Sequence, residues 1–275
     1  MQSGPKKEQD THSKPTTWSV LWHSIMGGGA AGAAEVVVDH PLWSLKTRYQ
    51  NDSIPAKEKF TLNLKILYRG FLPNVFSMVP ITALQVSTAQ GIKAHRHNDE
   101  ENPPSELQSL SYSAAGGAVS AVVSAPTELA MAQQTEKRGF FATVKHIYQN
   151  QGFKGLLRGF TGTAIRDAKF TVGYGYAAPA LKEKLAEHMS EPQAGAIAGV
   201  GAGVTVAALS QPWDTLKTAQ QTGSELPLWK LAAEKLKQQG IAGLYKGSFW
   251  RMSRVASAVT IMGEVNQRIS SWLKD

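Results

Sequence analysis

Three prolines stand 85 and 86 residues apart, each at the end of a long run of small residues: Pro41 in VVVDHPLWSLK, Pro126 in VVSAPTELAM and Pro212 in AALSQPWDTLK. Thirteen and nine residues before them lie Gly28 and Gly32, Ser113 and Gly117, and Gly199 and Gly203. After each proline comes a basic residue followed by glycine: Tyr68-Arg69-Gly70, Leu157-Arg158-Gly159 and Tyr245-Lys246-Gly247. In the second and third copies the pairs Gln151-Gly152 and Gln239-Gly240 precede that signal at the same distance. One such match would mean little, because Gly and Pro are common. Several features held in register three times mean an internal triplication, so the fold is built from three like units.

Each unit reads as a long small-residue helix interrupted at its proline, a short helix, and a second long helix after the basic-Gly signal. The short amphipathic stretches are PAKEKFTLNLKIL, FFATVKHIYQN and LPLWKLAAEKLKQQ. Small side chains four apart let helices approach closely, which is the packing code of helices in lipid. A proline inside a helix frees a carbonyl and kinks the axis, a device membranes tolerate when neighbours cover the gap. The units divide the chain into a polar tail over 1–17 and repeats over 18–104, 105–190 and 191–275. The tail lacks the apolar run of a secretory signal and the Arg-rich, acid-poor character of a presequence, so it reads as solvated.

Composition alone points elsewhere. With 42% hydrophobic residues and a mean hydropathy of −0.23, the average resembles a soluble protein. The charged fraction of 18% is low, however, and 25 glycines are many. The alternative is a soluble helical solenoid, but a unit of about 85 residues exceeds the usual solenoid periods. The best apolar run, Ala194 to Leu209, is short, and the first helix carries Glu35 and Asp39. Charges within spans are expected where they face an aqueous cavity. Six helices around such a cavity would dilute the hydropathy as observed. The expected fold class is therefore an all-α membrane protein with six transmembrane helices, arranged as three pseudo-symmetric pairs around a central cavity.

These residues resemble the mitochondrial carrier family over essentially residues 18–275. That family has three repeats, each with Pro-x-(Asp/Glu)-x-x-(Lys/Arg) on a kinked odd-numbered helix and (aromatic)-(Lys/Arg)-Gly opening the even-numbered one. Only Pro212-Trp213-Asp214-Thr215-Leu216-Lys217 matches in full; Trp43 replaces the acid of the first copy and Met131 the base of the second. The resemblance implies that each acid pairs with the base of the next odd helix, closing the matrix side. The pairs carried over are Glu128–Lys217 and Asp214–Lys46, leaving Trp43 and Met131 as mutual replacements whose Met–aromatic contact would substitute for an ion pair. Gln50 and Gln221 match braces that hydrogen-bond beneath these pairs, with Thr135 at the second position. On the opposite side the family's acids are replaced by Gln90, Pro179 and Gln267, and its base positions hold Lys93, Lys182 and Ser270. That second network is effectively absent, which implies a weakly latched cytoplasmic gate. Short surface helices are implied on the matrix side.

Family substrate contacts lie seven and eight residues after the basic-Gly glycine, roughly 10 Å into a hydrocarbon core of about 30 Å. The positions are Ser77 and Met78, Arg166 and Asp167, and Arg254; Lys169 and Arg251 join the arginines at i,i+3 spacing. Guanidinium inside a span binds carboxylate or phosphate. Several cations against the single acid Asp167 imply an anionic or zwitterionic solute. The Arg166-Asp167 pair resembles amino-acid carriers, whereas the positive excess with Phe170 and Tyr174 suits a nucleotide, and both readings stand. Arg69-Gly70, Arg158-Gly159 and Lys246-Gly247 begin helices whose N–H groups attract anions, which by resemblance implies cardiolipin as lipid partner.

No phosphate loop, His-Glu-x-x-His or paired metal-ligand spacing appears, and there are no cysteines. His23, His40, His95 and His97 read as satisfied or solvated. The expectation is a non-enzymatic, monomeric, multi-pass carrier of the mitochondrial inner membrane, working by alternating access, without cofactor, metal or nucleic acid. Antiport, nucleotide transport and amino-acid transport are the activities implied. The competing reading is a carrier-fold receptor or scaffold that no longer transports.

Overall fold

The computed structural model describes residues 17–96 and 103–272. The tail expected over 1–17 falls almost wholly outside the described residues, as do His97 and the side chains of His23, Tyr174, Gln267 and Ser270. Among the described residues the chain is helical, with one isolated bridge between Thr135 and Arg138. The elements are α1 (Thr17–Gln50), α2 (Ala56–Lys59), α3 (Leu64–Leu67), α4 (Phe71–Arg96), α5 (Glu106–Ala132), α6 (Phe140–Leu156), α7 (Phe160–Val172), a π-helical turn (Gly173–Ala177), α8 (Ala178–Ala186), α9 (Glu191–Gln221), α10 (Leu228–Leu244) and α11 (Ser248–Trp272).

Six long segments result, with α7, the π turn and α8 forming one of them. Each packs on the next, α1 on α4, α4 on α5, α5 on α7, α7 and α8 on α9, and α9 on α11, and α11 returns to α1. The ring is closed. Its odd members α1, α5 and α9 contain Pro41, Pro126 and Pro212 and run through them. Proline cannot donate to the carbonyl four residues earlier; in the first repeat the Tyr68 hydroxyl donates to that carbonyl, on Val37, at 3.3 Å.

The even segments begin where the chain reverses through Gly70, Gly159 and Gly247, at φ of 82°, 80° and 75°. A side chain at such angles would crowd its own carbonyl, so the basic-Gly signal is a turn requirement as well as a charge. Small residues set the ring's width. A Cβ on Gly117 would lie 2.5 Å from the Asp167 carbonyl oxygen, and one on Gly116 2.4 Å from that of Gln85.

The short helices depart from expectation in the first repeat. PAKEKFTLNLKIL forms two single turns, α2 and α3, because Thr61 and Asn63 turn their side chains onto nearby N–H groups between them. The other two copies form α6 and α10, each broken at its Gln-Gly pair, where Gly152 and Gly240 are left-handed.

The interior is unusually polar. Hydroxyls, amides and charges are buried there beside alanines and Leu45, Leu129 and Ile147, while Leu72, Phe76, Val122, Leu209 and Phe249 face outward. Two stretches, Leu64–Arg96 and Glu191–Gln221, are long and apolar enough to cross a membrane by composition, at mean hydropathies of 1.2 and 1.4. The other long helices fall below that measure, so hydropathy alone accounts for two of the six expected spans.

Candidate functional site

Positions two and five after each odd-helix proline are three apart, so they lie on one face of the helix. Closing the ring turns those faces toward one another. Lys46 of α1 meets Asp214 of α9 at 3.0 Å, and Lys217 of α9 meets Glu128 of α5 at 2.5 Å. Gln50 donates to Asp214 Oδ2 at 2.8 Å and accepts from Thr218 at 2.8 Å, lying one turn below its pair. Gln221 behaves differently from the expected brace: its amide donates at 3.3 Å to the Ala125 carbonyl of α5 and binds neither member of the Glu128–Lys217 pair. The Glu128 carboxylate already has two cationic donors and needs no amide.

The first of those donors is Lys217, and the second is Arg166. From α7, Arg166 Nη1 lies 2.9 Å from Glu128, with Asp167 at 2.6 Å and Asp214 at 3.4 Å from the guanidinium. Arg166, expected at a substrate contact, is thus tied to three carboxylates. A guanidinium in a poorly solvated site takes the carboxylates within reach, since an unpaired buried charge costs several kcal/mol. Asp167 is itself held by Ser124 at 2.7 Å.

The remaining expected contacts scatter. The Ser77 hydroxyl donates to the Asn74 carbonyl, and Met78 packs against Gly32. Lys169 is exposed and its ammonium lies 5.4 Å over the Trp213 ring rather than beside the carboxylates that hold Arg166; Phe170 packs against Ala207 and Val255. Arg251 is buried against Ser210 and Gln211 at 2.6 and 3.2 Å. Arg254 pairs with Glu35 of α1 at 2.8 Å and is the interior arginine with the most exposed side chain, 28%.

Trp43 and Met131 line one cleft of about 220 Å³, but the ring stacked on Trp43 is His40, at 5.3 Å. Met131 packs against Gly70. His40 is satisfied by the Arg69 carbonyl and Asn74, both at 3.1 Å.

Sequence reasoning singled out neither Glu35 nor Asp39 as site residues, although acids inside a candidate span were the available signal. Counting them removes the predicted positive excess. Lys46, Lys217, Arg166, Arg251 and Arg254 face Glu128, Asp214, Asp167, Glu35 and Asp39, five cations against five carboxylates.

A second set of ion pairs lies at the end of the ring that carries the short helices, and each pair links one repeat to the following one. Arg69 meets Glu136 at 3.7 Å, Arg158 meets Glu225 at 3.3 Å, and Lys246 meets Asp52 at 2.9 Å. Burial pushes the Asp52 carboxyl up, but hydrogen bonds from Lys235 and Lys246 outweigh it and hold the group below the usual carboxylate range. The basic residues expected to bind lipid thus already have acidic partners. Beside Arg158 and Gly159 lies an outer groove of about 880 Å³ walled by Trp213, Leu216, Leu228, Trp229 and Leu236.

The profile of the mitochondrial carrier protein family matches residues 17–100, 102–189 and 188–275. The mitochondrial glycine transporter of Xenopus laevis is 29% identical over 259 residues, 85% of each chain. The human mitochondrial tricarboxylate transport protein is 26% identical over 267 residues, covering 87% of this chain and 86% of its own. A probable chloroplastic S-adenosylmethionine carrier of Arabidopsis thaliana is 27% identical over 245 residues, 83% of this chain and 68% of its own.

Proposed function

The chain belongs to the mitochondrial carrier family, and from that membership we propose that it moves a small anionic or zwitterionic solute across the mitochondrial inner membrane by alternating access. The chemistry is transport, not catalysis. The observation that carries the reading is the double pair Lys46–Asp214 and Glu128–Lys217, joining all three odd helices at their motif positions. Such a closure is breakable, because each bond joins separate helices and none is covalent. Trp43, Met131, Gln50 and Gln221 complete the matrix gate. The six long segments serve as spans, supported by the outward apolar faces and the charged interior.

Relatives named for glycine, tricarboxylate and S-adenosylmethionine transport keep the solute class broad. Arg254 is the interior arginine most open to an incoming anion, with Ser77, Met78, Arg166 and Asp167 on the same family contact layer and Arg251 and Lys169 about one turn to either side of it. Amino acids and nucleotides are the favoured solutes. Cardiolipin suits the groove beside Arg158, whose walls are apolar and whose one basic residue is Arg158, and the carrier works as a monomer.

A second reading, a non-transporting receptor or scaffold, is favoured by one feature: Gln90, Pro179 and Gln267 stand where the cytoplasmic network has acids. Reconstitution into liposomes separates the two. Carrier-dependent uptake of at least one of glycine, citrate, S-adenosylmethionine or ATP is expected; uptake of none, with the protein folded, would replace transport by the receptor reading.

A further inference from the structure

Asp39 is 1% exposed and has no cationic partner of its own; the Ser257 hydroxyl of α11 is its polar neighbour, short of a well-formed hydrogen bond. Glu35 lies one turn earlier on the same helix and is spoken for by Arg254, whose Nε and Nη2 donate to one oxygen at 3.0 and 2.8 Å. The cluster is therefore two buried carboxylates and one guanidinium. That arrangement makes the ion pair conditional, because the cation that neutralises Glu35 is also the interior arginine most open to solute.

We propose that the Glu35–Asp39–Arg254 cluster couples solute movement to a proton, so that the protein is a proton–anion symporter. The inference rests on the transport reading above. When the anionic group of a solute takes Arg254, Glu35 loses its counter-ion one turn from a second buried carboxylate. Two such carboxylates with no cation between them cannot both stay ionised. A proton from the side to which the cavity is open then adds to the Glu35–Asp39 pair, leaving it one negative charge fewer. When the solute leaves on the opposite side, Arg254 returns to Glu35, and the proton is released there. One proton and one solute cross together, with no oxidant, reductant or other reactant.

The surroundings leave the Glu35–Asp39 pair as the acceptor. On α1 the neighbouring titratable groups are Asp39 and His40, and the His40 imidazole is already occupied by the Arg69 carbonyl and Asn74. From α11 come Arg254 and, one turn before it, Arg251, which is committed to Ser210 and Gln211. α4 brings no titratable side chain before Lys93 near its far end. α9 brings Asp214 and Lys217, both engaged in the gate pairs.

The test uses the full chain in liposomes loaded with a pH-sensitive dye, with citrate, glycine and ATP as probes. Uptake of the transported probe is expected to acidify the interior, and its accumulation ratio to rise about tenfold per unit of inward-directed proton gradient. Whatever uptake remains in Glu35→Gln must lose both responses. Asp39→Asn keeps the Arg254 pair and removes the second charge; it should weaken the gradient response, and it decides the matter if Glu35→Gln fails to fold. Uptake without acidification, or an equal gradient response in all three proteins, overturns the coupling and leaves transport standing. Uptake of no probe overturns both.

Discussion

Arg166 Nη1 donates to both carboxylate oxygens of Glu128 at 2.9 Å, and the same carboxylate accepts from Lys217 at 2.5 Å. Glu128 is thus shared between an odd-helix base and an even-helix arginine. A charge exchange, Glu128→Lys with Lys217→Glu, looks self-compensating when only the motif pair is considered. With Arg166 present it sets the introduced ammonium against a guanidinium and strips Arg166 of a partner. The exchange is therefore expected to stay destabilised, by about the 3–5 kcal/mol that removing one member of a buried pair costs. Thermal unfolding in detergent reads this directly, and recovery to the wild-type midpoint would mean that Arg166 does not depend on Glu128.

The two family-register glycines with described neighbours predict unequal costs. Gly117→Ala drives a methyl against the backbone of α7, 2.5 Å from the Asp167 carbonyl oxygen, where nothing can yield without moving a helix. Gly32→Ala meets the end of the flexible Met78 side chain at 3.3 Å. Gly117→Ala should lower stability by about 1–3 kcal/mol and loosen the Asp167–Ser124 contact. Gly32→Ala should be nearly silent. Equal unfolding midpoints for the two variants would contradict the packing described.

Much of this was legible in the residues because the information was repeated. Three prolines, three small-residue registers and three basic-Gly turns define a triplicated helical fold, and the motif spacing places Lys46, Asp214, Glu128 and Lys217 on facing helix sides. The carboxylate partners of Arg166 were not legible, because a family position fixes height along the helix but not which carboxylate a long side chain reaches. Nor was the Trp213 ring beneath Lys169, which comes from the neighbouring helix α9. The outer pairs of Asp52, Glu136 and Glu225 were not foreseen, because these acids sit ten to thirteen residues past their prolines in loops of unequal length. Glu35 and Asp39 were visible as charges in a span, yet their counterpart Arg254 is 219 positions away from Glu35.

Acid sensitivity follows from Asp52. Its carboxyl is held below the ordinary value of 3.8 by Lys235 and Lys246. A depressed folded-state value means the stabilisation is fully present above the unfolded value and is lost as pH falls through the folded one. Asp52→Asn should therefore melt lower than wild type at neutral pH. The two proteins should converge below pH 3.8, and the difference should shrink with added salt, since Asp52 is partly exposed. A gap that is constant from neutral to acid pH would place the effect of the substitution outside the ion pairs.

Trp43 and Met131 offer the last test, because they occupy the positions of the third gate pair. Trp43→Asp removes a ring stacked on His40 and puts a carboxylate into a cleft shared with Met131. Met131→Lys puts an ammonium into the same cleft, against Gly70. Each single change should be destabilising, the first by at least the 3–5 kcal/mol of a lost buried aromatic. Together they supply each other's counter-ion, so the double variant should be more stable than the sum of the singles by about 0.5–3 kcal/mol. It should remain below wild type, since the His40 stack is not restored. A third ion pair would also strengthen matrix closure, and uptake by the double variant should be slower than by wild type at equal protein. Strict additivity in the unfolding cycle would show that the two positions do not face each other across the gate.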